Sequence, residues 1–209
     1  MNTVQIGAIT VNDLRHSLTR HATLTPPVRT MDQIIGVAIH NTGPPVHREF
    51  TSEELAAYHV NSNGWPCIGY SLVVHMDGVI DYALDWNRVG WHVGGQNNWT
   101  YMGICLTGWF DDGRQPTEAQ ISATRDLIAN LGMAFGRQLA VKAHKELWAT
   151  VCPGTTWPGW KDRLTITIPP APAPPEPDTL RAVFDDLWAL SEDTHPAVMR
   201  AKQLIGGWQ

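Results

Sequence analysis

Apolar and polar positions alternate with two different periods along residues 31–166 of this chain. Ile34-Ile35-Gly36-Val37-Ala38-Ile39 is a short continuous apolar run that breaks into polar His40-Asn41-Thr42-Gly43, the signature of a buried strand over Ile34–His40. Thr51-Ser52-Glu53-Glu54 has the form of a capping box and predicts a helix to about Asn61. Tyr70–His75 and Val79–Leu84 flank the turn Met76-Asp77-Gly78 and read as a hairpin. Tyr101–Thr107 reads as a further buried strand. A second capping box, Thr117-Glu118-Ala119-Gln120, opens a helix whose apolar residues recur at Ile121, Leu127, Ile128, Leu131 and Phe135. Val141–His144 reads as a short strand and Trp157–Leu164 as a final helix. Strands interleaved with helices predict an α/β fold: a central mixed β-sheet flanked by helices.

The ends of the chain read differently. Residues 1–30 have only short apolar pieces and a turn-like Pro26-Pro27, and are expected to form an N-terminal arm. Residues 167–178 carry the proline run Pro169-Pro170-Ala171-Pro172-Ala173-Pro174-Pro175, an extended linker. In residues 179–209, Leu180, Val183, Phe184, Leu187, Trp188 and Leu190 recur at helical spacing, and a second helix is expected from about Pro196 to Ile205. These thirty or so residues are too few for an independent core. They predict a short helical C-terminal appendage that docks on the body or self-associates.

Composition narrows the function classes. The formal net charge of −5 is concentrated in the tail: from residue 170 onward there are six acids and three bases, leaving fourteen and twelve in residues 1–169. A near-neutral body gives no electrostatic case for nucleic acid or an anionic membrane surface. No stretch approaches the roughly 18 apolar residues of a membrane span. The start of the chain lacks a basic region followed by a long apolar run, so no signal peptide is expected and the protein is expected to stay in the cytoplasm until released. Three cysteines are an odd count. Cys67 and Cys105 could pair in an oxidising compartment, but the apolar strand around Cys105 favours free thiols. Ten tryptophans are expected mostly in the core, with a few lining a cleft where a ring can stack on a sugar or peptide.

The candidate chemistry lies in His40, His144 and Cys152. Two imidazoles and one thiolate are a three-ligand zinc set, and three ligands leave the fourth tetrahedral position open for water, as catalytic rather than structural sites do. His75, beside the hairpin turn, is expected only on the strand surface.

Five segments occur in one order: His40-Asn41-Thr42-Gly43, Ile68-Gly69-Tyr70-Ser71, Gly90-Trp91-His92-Val93-Gly94-Gly95, Met102-Gly103-Ile104, and His144 followed by Thr150-Val151-Cys152-Pro153-Gly154. That order resembles the zinc-dependent N-acetylmuramoyl-L-alanine amidases of the amidase type 2 family. The family includes T7-type phage endolysins and the peptidoglycan recognition proteins, and the resemblance covers about residues 30–165. It implies Zn2+ held by His40, His144 and Cys152. It also implies catalytic roles for Tyr70, facing the metal-bound water, and for Thr150, which falls where T7-type enzymes carry a lysine. A hydroxyl there can donate a hydrogen bond to an oxyanion but brings no charge. His92 matches a cleft-wall position near substrate, and Asn41 and Asn98, polar residues by glycine-rich loops, are expected to touch substrate.

The function implied is hydrolysis of the amide between N-acetylmuramic acid and L-alanine in bacterial peptidoglycan, in the setting of a phage or prophage endolysin. Two alternatives stay open: a non-catalytic muropeptide-binding module, and a bacterial autolysin or recycling amidase. In the resembling binders the cysteine ligand is typically replaced, and in the recycling enzymes it is an aspartate. The intact Cys152 argues against the binder and the recycling enzyme and leaves the autolysin open.

Overall fold

The computed structural model describes residues 2–44, 48–111, 113–165 and 167. The helical segment expected at 179–209, and the linker expected at 167–178 apart from Thr167, lie outside the described residues.

Seven strands are described: β1 (Thr3–Ile6), β2 (Ile9–Asp13), β3 (Gly36–Asn41), β4 (Leu72–Val74), β5 (Ile80–Tyr82), β6 (Tyr101–Leu106) and β7 (Ala140–Ala143). They form one mixed sheet in the order β1-β2-β5-β4-β6-β3-β7. The centre is parallel: β3 pairs with both β6 and β7, and β6 with β4. The hairpin at Met76-Asp77-Gly78 adds β5 antiparallel to β4.

Residues 3–13 depart from the expected arm. β1 and β2 pair antiparallel, and β2 joins β5 to extend the sheet. Their outward residues stay partly exposed at an edge, so the apolar signal is weak. Gly7 makes the turn with φ +59°, and the Ala8 N–H donates to Asn130 Oδ1 at 2.7 Å. Only glycine fits there, because a Cβ would meet that oxygen at 2.3 Å.

The two capping boxes form as expected. Thr51 opens α1 (Ser52–Asn61) and Thr117 opens a long helix, α3 (Glu118–Ala134); each hydroxyl accepts the N–H three residues on. Gln120 is fully buried, and its Nε2 donates to Val74 O and Thr107 O, which locks the helix to the sheet. Between the two lies a single turn, α2 (Asn97–Thr100), and α4 (His144–Leu147) follows β7.

Strand alternation divides the core. Val37 and Ile39 of β3, Met102, Ile104 and Leu106 of β6, and Leu72 and Val74 of β4 face Leu127, Ile128 and Leu131 of α3. Each fully buried Leu or Ile contributes about 1.5–3 kcal/mol. Val73 packs on the opposite side with Leu55 and Ala56 of α1. In strand alternation, Ala38 and His40 of β3 and Gly103 and Cys105 of β6 fall on the face away from α3. That face carries the site.

Two boundaries differ from the sequence expectation. His144 is not in β7 but is the first residue of α4. Trp157–Leu164 is two short 3₁₀ turns, Trp157–Gly159 and Lys161–Leu164, because Pro158 and Gly159 interrupt an α-helix. Trp157, Trp160 and Leu164 are still buried in the main core.

Candidate metal centre

Three connections deliver the ligands. His40 is the next-to-last residue of β3, which lies between β6 and β7, and is paired with Cys105 of β6. The neighbouring parallel strand β7 runs out at Ala143 and hands the chain to His144. The loop after α4 returns Cys152, and the Lys145 N–H donates to Cys152 O at 2.8 Å, closing that loop. One ligand atom from each of His40, His144 and Cys152 lies within 4.8 Å of the others.

The donor set fits zinc. His40 Nδ1 is 3.7 Å from Cys152 Sγ. A tetrahedral zinc with the usual Zn–N and Zn–S bonds separates two such ligands by about 3.6 Å. Burial first, then the neighbouring His92 and His144, hold His40 well below the usual imidazole range, so it is a neutral ligand at neutral pH. Burial also lowers His144, an effect that the neighbouring Val93 backbone partly offsets. Burial pushes the Cys152 thiol up to about 11, against the pull of the Asn41 N–H and the Lys145 ammonium. A dication among these ligands reverses that and deprotonates the sulfur.

Tyr70 stands beside the ligands. Its ring centroid is 5.1 Å from that of His40. Burial first, then the nearby Cys105 and Cys152, raise the phenol well above 10. It is therefore a proton donor, not a base, at neutral pH. Behind it His59, at 5.3 Å, accepts from the Gly69 N–H and stacks on Trp65; burial holds this imidazole at about 4. Thr150 Oγ1 accepts from the Cys152 N–H at 3.3 Å, leaving its own proton free to donate. Cys67 and Cys105 are free, buried thiols.

The three residues expected at substrate each have protein partners. His92 is 8% exposed and sits behind His40: its Nδ1 is 2.9 Å from His40 Nε2, and its Nε2 faces Tyr101 O at 3.2 Å. Burial holds it at about 3, so it is neutral. Asn41 Nδ2 donates to Pro153 O, and its N–H points at Cys152 Sγ at 3.4 Å. Asn98 Oδ1 accepts the N–H groups of His92, Val93 and Gly94 at 3.0, 2.8 and 3.1 Å. A polar residue beside a glycine-rich loop looks the same in sequence whether it faces solvent or folds back on the loop.

Sequence reasoning missed Arg29. Its side chain is buried, at 3% residue exposure, and donates to the carbonyls of Trp86, Asn98, Trp99 and Tyr101. Burial lowers it to about 10, so it remains charged at neutral pH. It ties the segment carrying His92 and Asn98 to the end of β6. No periodicity marks such a residue. The rim is apolar: Trp91 and Val151 are exposed, and Trp148, 55% exposed, lies over Gly94, where a Cβ would come within 3.3 Å of the indole. Among the described residues, no helix is long and apolar enough to cross a membrane.

Residues 30–155 match the family described as N-acetylmuramoyl-L-alanine amidase. A human N-acetylmuramoyl-L-alanine amidase is 33% identical over 126 residues, which are 56% of this chain but only 21% of that protein. The endolysin of Klebsiella phage KP32 is 27% identical over 131 residues, 61% of this chain and 85% of the endolysin. Among solved structures, an endolysin N-acetylmuramoyl-L-alanine amidase of Clostridium intestinale superposes with a TM-score of 0.61 at 23% identity, over 75% of this chain and 96% of that one, which establishes the shared fold. With the match spanning the β3 ligand, the β7–α4 junction and the Cys152 loop, this chain belongs to the N-acetylmuramoyl-L-alanine amidase family.

Proposed function

We propose that this chain is a zinc-dependent peptidoglycan hydrolase that cleaves the amide between the lactyl group of N-acetylmuramic acid and L-alanine. The observation that carries the reading is the convergence of His40, His144 and Cys152 at the end of a central strand, within the segment that matches the family. Three protein ligands leave a tetrahedral position open for chemistry. When bound there, zinc supplies Lewis acidity to the scissile carbonyl and brings the pKa of water to about 7.

The chain's own residues do the rest. His40 and His144 present neutral nitrogens, and Asn41 directs its N–H at the Cys152 sulfur. Tyr70, held protonated by burial, donates to the oxyanion that develops on the substrate carbonyl. The free Thr150 proton is the second donor, without the charge of a lysine. Trp148, exposed over Gly94, offers an aromatic face to a sugar ring or stem peptide.

The setting we favour is a phage or prophage endolysin that acts on the wall after release, supported by alignment over 85% of a phage endolysin. The proline-rich segment 167–178 then serves as the linker between the catalytic body and the segment 179–209. A muropeptide-binding module without catalysis is the rival reading, and the intact Cys152 speaks against it.

Mass analysis of digested peptidoglycan tests the proposal. Free L-alanine amino termini without new reducing sugar ends are expected. New reducing ends would mean a glycosidase, and binding without products would leave the module.

A further inference from the structure

The His40 imidazole has a second ring nitrogen, and it reaches the segment His92-Val93-Gly94: His40 Nε2 lies 2.9 Å from His92 Nδ1. The contact is not local in sequence, since residues 40 and 92 are 52 apart.

The hydrogen positions follow from the acceptors. Tyr101 O can only accept, so His92 Nε2 carries the hydrogen. His92 Nδ1 is then a lone pair, and His40 Nε2 must donate to it. That leaves His40 Nδ1 bare, and it is Nδ1 that faces Cys152 Sγ at 3.7 Å. The chain Tyr101 carbonyl, His92, His40 thus selects one tautomer of the ligand, as an outer-shell partner does in metal sites.

The segment is held from three sides. Asn98 Oδ1 accepts all three consecutive N–H groups. Gly103 of β6 leaves a seat for the His92 ring; a Cβ there would meet the ring at 3.0 Å. Arg29 clamps the Asn98 and Tyr101 carbonyls with one nitrogen, at 2.9 Å each.

We propose that Asn98 is a positioning residue of the metal centre: by gathering the N–H groups of His92, Val93 and Gly94 onto its carboxamide oxygen, it seats the His92 ring that orients the His40 imidazole for the ion. This rests on the zinc reading of His40, His144 and Cys152. It assigns Asn98 to the protein side of the cleft, not to substrate.

The test is metal binding to the full chain, read by competition with a chromophoric zinc chelator and by the visible spectrum of the Co2+-substituted protein. Asn98→Ala should weaken zinc by about 10–100-fold, the usual effect of losing an outer-shell partner, and change the Co2+ bands. Asn98→Asp keeps an acceptor oxygen and should restore zinc affinity to within about threefold and the wild-type spectrum. Nitrogen-detected NMR of the metal-free protein reads the tautomer directly: His40 protonated at Nε2 in wild type and a mixture in Asn98→Ala. If Asn98→Ala does not fold, His92→Phe keeps the ring and removes the acceptor, and it should show the same loss. Wild-type affinity in Asn98→Ala or in His92→Phe overturns the proposal, as does an Asp variant as weak as the Ala variant. Failure of the wild type to bind zinc would sink the metal reading instead, and the NMR tautomer would still decide the role of Asn98.

Discussion

Replacing Asp81 with Asn removes one charge from a largely buried network. Asp81 Oδ2 accepts from Ser52 Oγ at 2.7 Å and from His75 Nε2 at 2.8 Å, and Oδ1 accepts from Asn12 Nδ2 at 2.9 Å. His75, expected on the strand surface, has a side chain only 16% exposed, and its other nitrogen is 3.3 Å from Glu49. Burial alone would raise Asp81, but His75, Ser52 and Asn12 outweigh it and the carboxyl is lowered below 3.8. Burial alone would lower His75, but Asp81 and Glu49 outweigh it and the imidazole is raised above 6.5. The stability from His75 is therefore fully present below 6.5 and is lost as pH rises through its folded value. Asp81 remains ionised throughout that window, because its own contribution is lost only as pH falls below 3.8. In Asp81→Asn the amide offers an NH2 toward the imidazolium or toward Asn12, and two charge-assisted bonds to Oδ2 are compromised. Such bonds contribute about 1.5–3 kcal/mol each, so the cost should be about 3–5 kcal/mol near pH 5.5. With neutral His75 the ring can accept from the amide, and the cost should fall to about 1–2 kcal/mol near pH 8.5. Urea unfolding followed by tryptophan fluorescence, wild type against variant at both pH values, measures the difference. A cost that is equal at the two pH values, or larger at the higher one, refutes the charge pairing.

Tyr70→Phe should lower kcat by about 100-fold with KM within about threefold, measured as release of L-alanine amino termini, because the hydroxyl acts on the transition state; burial raises the phenol, so wild-type activity should show no limb from its ionisation below about pH 10. Trp148→Ala should raise KM by about 5–20-fold with little change in kcat, as expected of a stacking surface worth about 1–2 kcal/mol, and an unchanged KM would remove the indole from the cleft. Purified protein should carry about one zinc per chain by elemental analysis, and chelation should abolish hydrolysis until Zn2+ is restored, because three protein ligands describe one site. A chain ending at Thr167 should retain zinc and fold, since among the described residues Trp160 and Leu164 are the last in the main core; loss of metal would show that the C-terminal segment supports the site.

The elements nearest the site could be read from local signals. The apolar run into His40, the two capping boxes and the hairpin turn each specify an element through neighbouring residues, and each element forms within a residue or two of its expected bounds. The cluster of His40, His144 and Cys152 could be anticipated because the donor types and their ordered contexts are local strings, even though His40 and Cys152 are 112 residues apart. The edge hairpin at residues 3–13 was not legible, because half-exposed edge strands carry little apolar contrast. The proline-interrupted turns at 157–164 still bury their tryptophans, so burial there does not require a continuous helix.

What the sequence determined by itself was the set of chemical groups and the elements that carry them. Only the tertiary structure decided what those groups face. His92 turned from the cleft wall to the back of His40, Asn98 from substrate to three backbone N–H groups, and Arg29 from an arm to a clamp on four carbonyls. The physical reason is that hydrophobic burial is written in periodicity, which is local, whereas the partner of a buried polar group is chosen by geometry once distant segments meet.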